Sequence, residues 1–143
     1  MQVTEILASK GTEVVTTNAE VTVEGIVRLL RAKNIGAVVV LEEKGQVGGM
    51  LSERDVVRAL ALHGEGALSM RVGDLMTRHV QTCRPDDDCR EIMSLMTEHR
   101  VRHLPVVDGG RLAGIISIGD VVKQRLAEIE AEAETLREYI TAR

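Results

Sequence analysis

Two short polar motifs contain the residues of this chain whose types and spacing could do chemistry. Ser52 and Asp55 are three residues apart, and Ser117 and Asp120 repeat that spacing later in the chain. Each serine follows a glycine and two apolar residues, and begins a segment with helical periodicity. In one interpretation these are capping boxes, in which the serine oxygen accepts from an amide three residues later and the acid reaches back.

The other interpretation is a ligand site. A helix start presents free amides and a partial positive charge, which suits a phosphate group. A short carboxylate beside it is placed to accept hydrogen bonds from both hydroxyls of a ribose. A capping box prefers Glu or Gln at the third position, whereas both motifs here use Asp. Because the motif occurs twice after the same strand, the pattern favours a pair of nucleotide sites.

Both motifs lie within an internal repeat. Residues 47–58 read VGGMLSERDVVR and residues 112–123 read LAGIISIGDVVK, so a shift of 65 positions places Asp55 on Asp120. A repeat of this kind indicates a fold built from two pseudo-symmetric halves. A half of about 60 residues is marginally stable alone, so the two repeats are predicted to share one core.

Each repeat has the pattern of a strand, a helix, two strands and a helix. In repeat 1 we expect strands at Val14–Thr17, Ala37–Leu41 and Val47–Leu51, a helix through Val23–Leu30 and a second helix from Ser52. In repeat 2 we expect the first helix to start at Pro85–Asp87, then a strand at Leu104–Val107 and a helix at Val121–Leu126. The predicted class is α/β with two small sheets. Its boundaries are repeat 1 at 1–62, a linker at 63–71, repeat 2 at 72–126 and a C-terminal amphipathic helix at 127–143.

Composition excludes several classes of protein. The 143 residues are 44% hydrophobic and 28% charged with a net charge of −4, as in one ordinary globular domain. Tyr139 is the only aromatic residue of the Phe, Trp and Tyr class, and there is no basic footprint, so nucleic acid is not an expected partner. No apolar run is long enough for a membrane span or a signal peptide, so the expected compartment is the cytoplasm. Cys83 and Cys89 are then expected to be reduced thiols.

The sequence offers no catalytic or metal motif. The four histidines, at positions 63, 79, 99 and 103, show no spacing with cysteines or acids that would build a metal site. Walker loops, nucleophile elbows and dinucleotide-binding glycine motifs are absent from the sequence. We therefore predict no enzyme activity, no metal and no required cofactor.

The repeated unit resembles a known family. RHLPVVD at 102–108 and GIISIGD at 114–120, within two copies of one unit, look like a tandem pair of cystathionine-β-synthase (CBS) domains, often called a Bateman module. The likeness extends from about Val3 to Leu126. It implies two β-α-β-β-α repeats and a regulatory role without catalysis. It also implies an adenosine-containing ligand, AMP before NAD or ATP, together with a homodimer and an unidentified regulated protein.

The resemblance also implies two crossed ligand sites. In one, Asp55 holds the ribose and Ser52 and Arg54 the phosphate, while the base lies against the other repeat at Thr77, Arg78, Val101, Arg102 and His103. In the other, Ser117, Gly119 and Asp120 face Lys10, Gly11, Thr12, Ile35, Gly36 and Ala37. The two copies differ at several of these positions, so the sites need not be equivalent.

The C-terminal segment has a separate pattern. Apolar residues at spacings of three and four form one stripe from Leu126 through Ile129, Ala133 and Leu136 to Ile140. So short a helix must pack on something. Packing on its own domain and packing on a second copy both remain open, and the second is favoured because the resemblance ends near Leu126.

Overall fold

The computed structural model describes residues 1–142 and confirms the predicted α/β class. The helices are α1 (Val3–Lys10), α2 (Val23–Lys33), α3 (Glu53–His63), α4 (Val72–Leu75), α5 (Cys89–His99) and α6 (Ile118–Thr141), with a 3₁₀ helix at Gly64–Ser69. The strands are β1 (Thr16–Thr17), β2 (Ala37–Leu41), β3 (Val47–Ser52), β4 (His103–Asp108) and β5 (Arg111–Ser117). They form one sheet in the order β1-β2-β3 and a second sheet of β4 and β5.

The two sheets differ at their first strand. In the three-stranded sheet β1 runs parallel to β2, and β2 pairs antiparallel with β3 so that Ala37 lies opposite Ser52. In repeat 2 the expected first strand is reduced to a single parallel bridge between Cys83 and Val106. The β-branched pair Thr16-Thr17 suits an extended strand, and repeat 2 has Cys83 in place of the second threonine.

Helix α5 starts later than the sequence predicted. Asp88 is its N-cap, with its side chain accepting from the amide of Arg90 at 2.7 Å, and the helix begins at Cys89. The expected start at Pro85–Asp87 is wrong because those residues form a preceding turn, in which the amide of Arg84 donates to Asp87 Oδ2 at 2.8 Å. Acidic residues stabilise turns and helix starts by similar hydrogen bonds, so the sequence alone did not separate the two.

The chain divides into two compact units that do not follow the order of the repeats. The repeat-1 unit contains Glu13–Gln81 and Asp108–Leu112. The repeat-2 unit contains Met1–Thr12, Thr82–Val107 and the chain from Ala113 onward. Each unit therefore contains most of one repeat and the leading segment of the other, which is 1–12 for repeat 1 and 72–81 for repeat 2.

Each unit has its own cluster of buried apolar side chains. In the repeat-2 unit, Ile6 and Leu7 of α1 are buried with Leu104, Val106 and Ile116 of the strands. In the repeat-1 unit, Val72 of α4 is buried with side chains of α2, β2 and β3 (Ile26, Leu30, Val38, Val40 and Leu51). The prediction of one shared core is therefore not met in the described residues, which have two clusters. The repeats share apolar packing in another way, since each cluster includes side chains from the other repeat's leading segment.

The end of the chain is one long helix. Helix α6 runs without a break for 24 residues, about 36 Å at 1.5 Å per residue. It joins the predicted helix at 121–126 to the predicted tail at 127–143, of which Arg143 lies outside the described residues. Within residues 1–142, no helix combines the length and the apolar character needed to cross a membrane.

Two equivalent glycines allow the leading segments to lie close to the strands. A Cβ atom built on Gly49 of β3 would lie 2.8 Å from Met76 Sδ and 2.9 Å from the carbonyl oxygen of Thr77. A Cβ atom on Gly114 of β5 would lie 2.7 Å from a methyl carbon of Leu7. These are the glycines that begin the repeated motif. At Gly49 the near atom is a main-chain oxygen that cannot move aside, so glycine is required there, whereas at Gly114 the near atoms belong to the end of a side chain.

Replacing Gly49 with alanine is expected to destabilise the protein by about 1–3 kcal/mol, because the new methyl group overlaps a main-chain oxygen. The free energy of unfolding from urea titrations measures the loss. Gly66→Ala is the matched control, since a Cβ atom there would meet no atom of the described residues within 4 Å. Equal stability of the two variants would contradict the close packing.

Candidate functional site

The start of α3 is a capping box built around Asp55. The amide of Ser52 donates to Asp55 Oδ2 at 2.9 Å, and the Ser52 hydroxyl donates to the same oxygen at 3.1 Å. The next amide, that of Glu53, donates to the carbonyl oxygen of Gly36 at 3.0 Å. The capping interpretation is confirmed at this helix start, and it engages one of the two carboxylate oxygens.

The second carboxylate oxygen of Asp55 faces the leading segment of repeat 2. The hydroxyl of Thr77 donates to Asp55 Oδ1 at 3.3 Å. Thr77 is held there by two main-chain hydrogen bonds with Met50, of 2.9 and 3.0 Å. Asp55 Oδ2 is thus engaged by the helix start, whereas Oδ1 accepts from the neutral hydroxyl of Thr77. A ligand hydroxyl could replace the Thr77 hydroxyl at Oδ1.

The start of α6 repeats the capping box. The amide of Ser117 donates to Asp120 Oδ2 at 2.8 Å, and the amide of Asp120 donates to Ser117 Oγ at 3.2 Å. The amide of Ile118 donates to the carbonyl oxygen of Arg102 at 2.8 Å, in the role that Gly36 has at α3. Main-chain geometry is therefore closely alike at the two helix starts.

The group facing Asp120 is a cation, unlike the neutral hydroxyl that faces Asp55. Lys10 Nζ lies 2.7 Å from Asp120 Oδ2 and donates to the carbonyl oxygen of Ile115 at 2.9 Å. Burial of the Asp120 carboxyl favours its neutral form, but hydrogen bonds from Lys10 and Ser117 outweigh this and hold its pKa below the ordinary value. The two aspartates thus have different electrostatic environments, through Thr77 and Lys10, which are not among the positions whose differences the sequence analysis noted.

Two of the remaining predicted site residues contact a helix start of their own repeat, since Gly36 accepts from Glu53 of α3 and Arg102 accepts from Ile118 of α6. The crossed assignment placed Gly36 with Asp120 and Arg102 with Asp55, and no described contact joins those pairs. Ile35, Gly36 and Ala37 lead into β2 within the repeat-1 unit, where Ala37 is opposite Ser52. Val101, Arg102 and His103 lead into β4 in the repeat-2 unit, and Gly11 and Thr12 follow α1 there. Arg54 and Gly119 are the second residues of α3 and α6.

Arg78 has a defined partner, since its guanidinium donates to the carbonyl oxygen of Gly73 at 2.8 Å. Among the predicted site residues, the structure brings Thr77 to Asp55 and Lys10 to Asp120.

The crossed assignment, in which the base of each ligand lies against the other repeat, stays a prediction.

Two main-chain positions were not singled out by the sequence. The carbonyl oxygen of Met50 accepts from the amide of Thr77, and the equivalent carbonyl oxygen of Ile115 accepts from Lys10. The signal for both was the preceding glycine of each motif. A glycine at the same place in both repeats marks a close approach of another segment.

A surface groove of about 990 Å³ is also present in the repeat-1 unit, along α2 and α3. It includes Gly36 and Glu53, but its other lining residues are mostly apolar or belong to the outer faces of the helices, such as Val27, Arg31 and Val57. Neither Asp55 nor Thr77 lines it. We therefore assign the candidate chemistry to the helix starts and not to this groove.

The two cysteines are free, as predicted, and both are buried. Burial raises the pKa of the Cys83 thiol to about 12 and also raises the pKa of Cys89. Because the thiolate is the nucleophilic form, these residues are apolar core side chains with little reactivity near neutral pH.

Comparison with known proteins identifies the class. The family model described as CBS domain matches residues 3–62 and again residues 72–127. The chain therefore belongs to the CBS domain family and contains a tandem pair of these domains, which confirms the resemblance noted from the repeated motif.

Individual proteins agree with this family. The chain is 36% identical over 123 residues to the mitochondrial CBS domain-containing protein CBSX3 of Arabidopsis thaliana, covering 83% of this chain and 60% of that protein. The CBS-domain containing protein ATU1752 of Agrobacterium tumefaciens is 44% identical with a TM-score of 0.85, over 87% of this chain and 99% of that one.

A third structure is similar in fold alone. The CBS domain pair of protein MJ0100, solved with 5′-methylthioadenosine and S-adenosylmethionine, has a TM-score of 0.78 at 22% identity. It covers 90% of this chain and 98% of that one.

The Lys10–Asp120 ion pair predicts a pH-dependent contribution to stability. Asp120 has a lowered pKa in the folded protein, so the pair stabilises at pH values above the ordinary carboxyl pKa of 3.8 and is lost as pH falls through the folded value. Lys10→Met should therefore be less stable than the wild type at pH 7, and the difference should narrow towards pH 3. Urea titrations at several pH values measure this.

Lys33→Met, which removes a cation from the last turn of α2, is the control for a change in net charge. Its difference in free energy of unfolding from the wild type should not narrow towards pH 3. If the loss of stability in Lys10→Met stayed constant from pH 7 to pH 3, Asp120 would not be the stabilising partner.

Proposed function

We propose that this CBS pair is a regulatory module that senses adenosine-containing nucleotides, AMP first and then NAD or ATP. The observation that carries the proposal is the duplicated helix start, in which a capping aspartate is also the acceptor for a side chain of the other repeat's leading segment. A cap alone requires only the local Ser-x-x-Asp spacing. The additional approach of Thr77 and of Lys10 gives each aspartate the surroundings of a binding site.

At Asp55 the proposed ligand contact is a ribose hydroxyl. The Thr77 hydroxyl donates to Asp55 Oδ1 at 3.3 Å, a long hydrogen bond that a ribose hydroxyl can replace at low cost. Thr77 is then able to turn its hydroxyl towards the ligand. Ser52, Arg54 and the partial positive charge of the α3 start form the proposed phosphate site.

At Asp120 the proposed ligand must compete with a cation. Lys10 lies 2.7 Å from the carboxylate, and a charge-assisted hydrogen bond of this length is stronger than a neutral one. When a ligand hydroxyl replaces Lys10 at the Asp120 carboxylate, the positive charge of Lys10 loses its partner. A phosphate group on the ligand neutralises that charge, whereas an uncharged nucleoside does not. We therefore expect the Asp55 site to fill first and the Asp120 site to require a phosphorylated ligand.

The adenine base is proposed to lie against main-chain groups and apolar side chains. The base of the ligand at Asp55 would contact Val101, Arg102 and His103, together with Arg78. The second ligand would be held at Ser117, Gly119 and Asp120. Its base would contact Gly11, Thr12, Ile35, Gly36 and Ala37. The complex of the MJ0100 CBS pair with 5′-methylthioadenosine and S-adenosylmethionine shows that this fold accommodates adenosine compounds, which supports a ligand of that class here.

The rival function is an interaction module without a ligand, in which Ser52 and Ser117 act only as helix caps. A thermal-shift panel of AMP, ADP, ATP, NAD, NADH and S-adenosylmethionine separates the two. A ligand at 100 times its dissociation constant stabilises the folded state by about 2.7 kcal/mol. A panel without any shift would favour the rival.

The proposal assigns the chain no reaction. Its output is a change in binding to a regulated protein or in assembly with a second copy. The expected cytoplasmic location stays a prediction, since one relative is described as mitochondrial.

Removing each aspartate should weaken a different site. Asp55→Ala and Asp120→Ala each lose hydrogen bonds to a charged group, worth roughly 1.5–3 kcal/mol or about 10- to 100-fold in affinity. Isothermal titration with AMP measures both affinity and stoichiometry. Asp88→Ala, which removes the capping carboxylate of α5, controls for the loss of a helix cap. Unchanged AMP binding in both Asp55→Ala and Asp120→Ala would reject the assignment.

Phosphorylated ligands should bind more tightly than adenosine. The helix start with Ser52 and Arg54, and the Lys10 ammonium at the other site, contribute only when a phosphate is present, and salt screens that contribution. Titrations of AMP and adenosine at low and high ionic strength are expected to give a preference for AMP that shrinks with salt. Equal affinities at low salt would show that Ser52, Arg54 and Ser117 have been misassigned.

A further inference from the structure

Helix α6 has an exposed apolar face. Val122, Leu126, Ile129, Leu136 and Ile140 are 40%, 55%, 46%, 62% and 69% exposed. Of the positions from Glu128 to the end of the helix, only Glu128 and Ala133 are partly buried, and the rest are exposed. The stripe predicted from the sequence is therefore present but is not covered by its own chain, so packing on its own domain does not explain it.

The unit holds α6 by a different side of the helix. Val121 is fully buried, and the side chain of Glu128 is 9% exposed and lies 2.8 Å from Arg125. At 100° per residue, the apolar residues are centred about 100° around the helix from Val121. The buried side orders the helix and leaves the apolar face uncovered on an adjacent side.

The spacing of the apolar face is that of a coiled coil. The intervals from Val122 to Ile140 are four, three, four, three and four residues (122, 126, 129, 133, 136, 140). This is an a/d heptad in which positions a are Leu126, Ala133 and Ile140. A heptad face pairs with a second helix of the same pattern, and a second copy of this chain supplies one.

The flanking charges select a parallel pair. In a parallel dimer each g residue faces the e residue five positions later in the other helix. Glu132 then faces Arg137 of the second copy. Arg125 faces Glu130 of the second copy, but it already pairs with Glu128 of its own chain at 2.8 Å, so the first pair carries the argument. Glu132 and Arg137 are well exposed, and their contacts within the chain are long, at 4.0 Å to Arg90 and 3.6 Å to Glu134. Both are available to a partner.

An antiparallel pair would place like charges together. The antiparallel register that aligns the apolar residues sets Leu126 against Leu136 of the second copy. It also sets Glu130 against Glu130, Glu132 against Glu132, and Lys123 against Arg137. The remaining flanking contact sets Arg125 against Tyr139, which carries no like charge. Like charges across a helix pair are destabilising, so three of the four kinds of flanking contact oppose this arrangement.

We propose that the apolar face of α6 is a homodimer surface, on which the α6 helices of two copies pack in parallel as a short two-stranded coiled coil. The proposal rests on the homo-oligomer of the proposed function and specifies its surface. Fewer than three heptads would not hold two free peptides together. Here the first turns of α6 are already ordered by their own unit, which reduces the entropy lost on pairing.

The surface is tested with Leu136→Glu, which puts a charge into the proposed contact. Leu136 is exposed in the single chain, so the fold should be retained, and circular dichroism checks this. Sedimentation at several concentrations is expected to show a wild-type dimer and a dissociation constant raised roughly 30-fold or more in the variant. Ala131→Glu, on the opposite face of the same helix, is the matched control and should dimerise normally.

Two results would overturn the surface proposal. A wild-type chain that is monomeric at every concentration would reject the homo-oligomer, even if the monomer bound vesicles or another protein. A dimer unaffected by Leu136→Glu would assign the contact to another surface. AMP titration of the same samples is a separate readout, so a failure of ligand binding is distinguished from a failure of assembly.

The orientation is tested by charge exchange. Arg137→Glu should weaken a parallel dimer about three- to tenfold, because the introduced carboxylate faces Glu132 of the second copy. The double variant Glu132→Arg with Arg137→Glu should recover wild-type affinity. A tighter dimer in Arg137→Glu would indicate pairing with Lys123, and would overturn the parallel arrangement.

Cross-linking gives an independent measure of orientation. In a parallel pair Ile140→Cys places the two thiols at neighbouring a positions, within reach of a disulfide. In the antiparallel register they would be about 27 Å apart. The native Cys83 and Cys89 are buried, so the background should be low. Glu138→Cys, on the outer face, is the control. Efficient oxidation of Ile140→Cys alone is expected, and failure to cross-link in a confirmed dimer would reject the parallel pair.

Discussion

Close packing at Gly49 and Gly114 is the contact on which the candidate sites depend. At each glycine a leading segment lies against a strand, and at Gly49 the approach of the Thr77 main chain leaves no space for a Cβ atom. That approach brings Thr77 beside Met50 in one unit and Leu7 beside Gly114 in the other. Without it, the capping aspartates would be ordinary helix-start residues, because the side chains that face them come from segments distant in the sequence.

The near-symmetry of the two units makes their differences informative. Each helix start has an equivalent serine and an equivalent aspartate. In each, the first helical amide donates to an equivalent carbonyl oxygen, that of Gly36 or Arg102. They differ in the group that faces the acid, which is a hydroxyl at Asp55 and an ammonium at Asp120. A duplicated frame with one neutral and one charged partner is a simple physical way to give two related sites different ligand preferences.

Helix α6 combines two roles in one element. Its first turn carries the capping box of Ser117 and Asp120, and its later turns carry the exposed heptad face. One unbroken helix joins these two regions. In the proposed function, the ligand site at Asp120 and the surface for a second copy would lie on the same element, which is the arrangement that coupling between two sites requires.

The sequence by itself determined the repeat, the family, the strands flanking each motif and the capping boxes, because these depend on residues close together in the chain. At both helix starts the aspartate accepts from the amide of the serine three residues before it, a bond that depends on local spacing alone. It also determined the heptad pattern of α6, since 3.6 residues per turn convert spacing into a face.

Tertiary structure alone decided which segments meet. Thr77 is 22 residues from Asp55 and Lys10 is 110 residues from Asp120, and no local rule connects them. The exchange of leading segments between units follows from burial of Ile6, Leu7 and Val72 in the clusters of the other repeat. Likewise, only the packing of Val121 and Glu128 left the apolar face of α6 uncovered. Burial depends on the summed packing of distant side chains, whereas helix starts and heptads depend on neighbours along the chain.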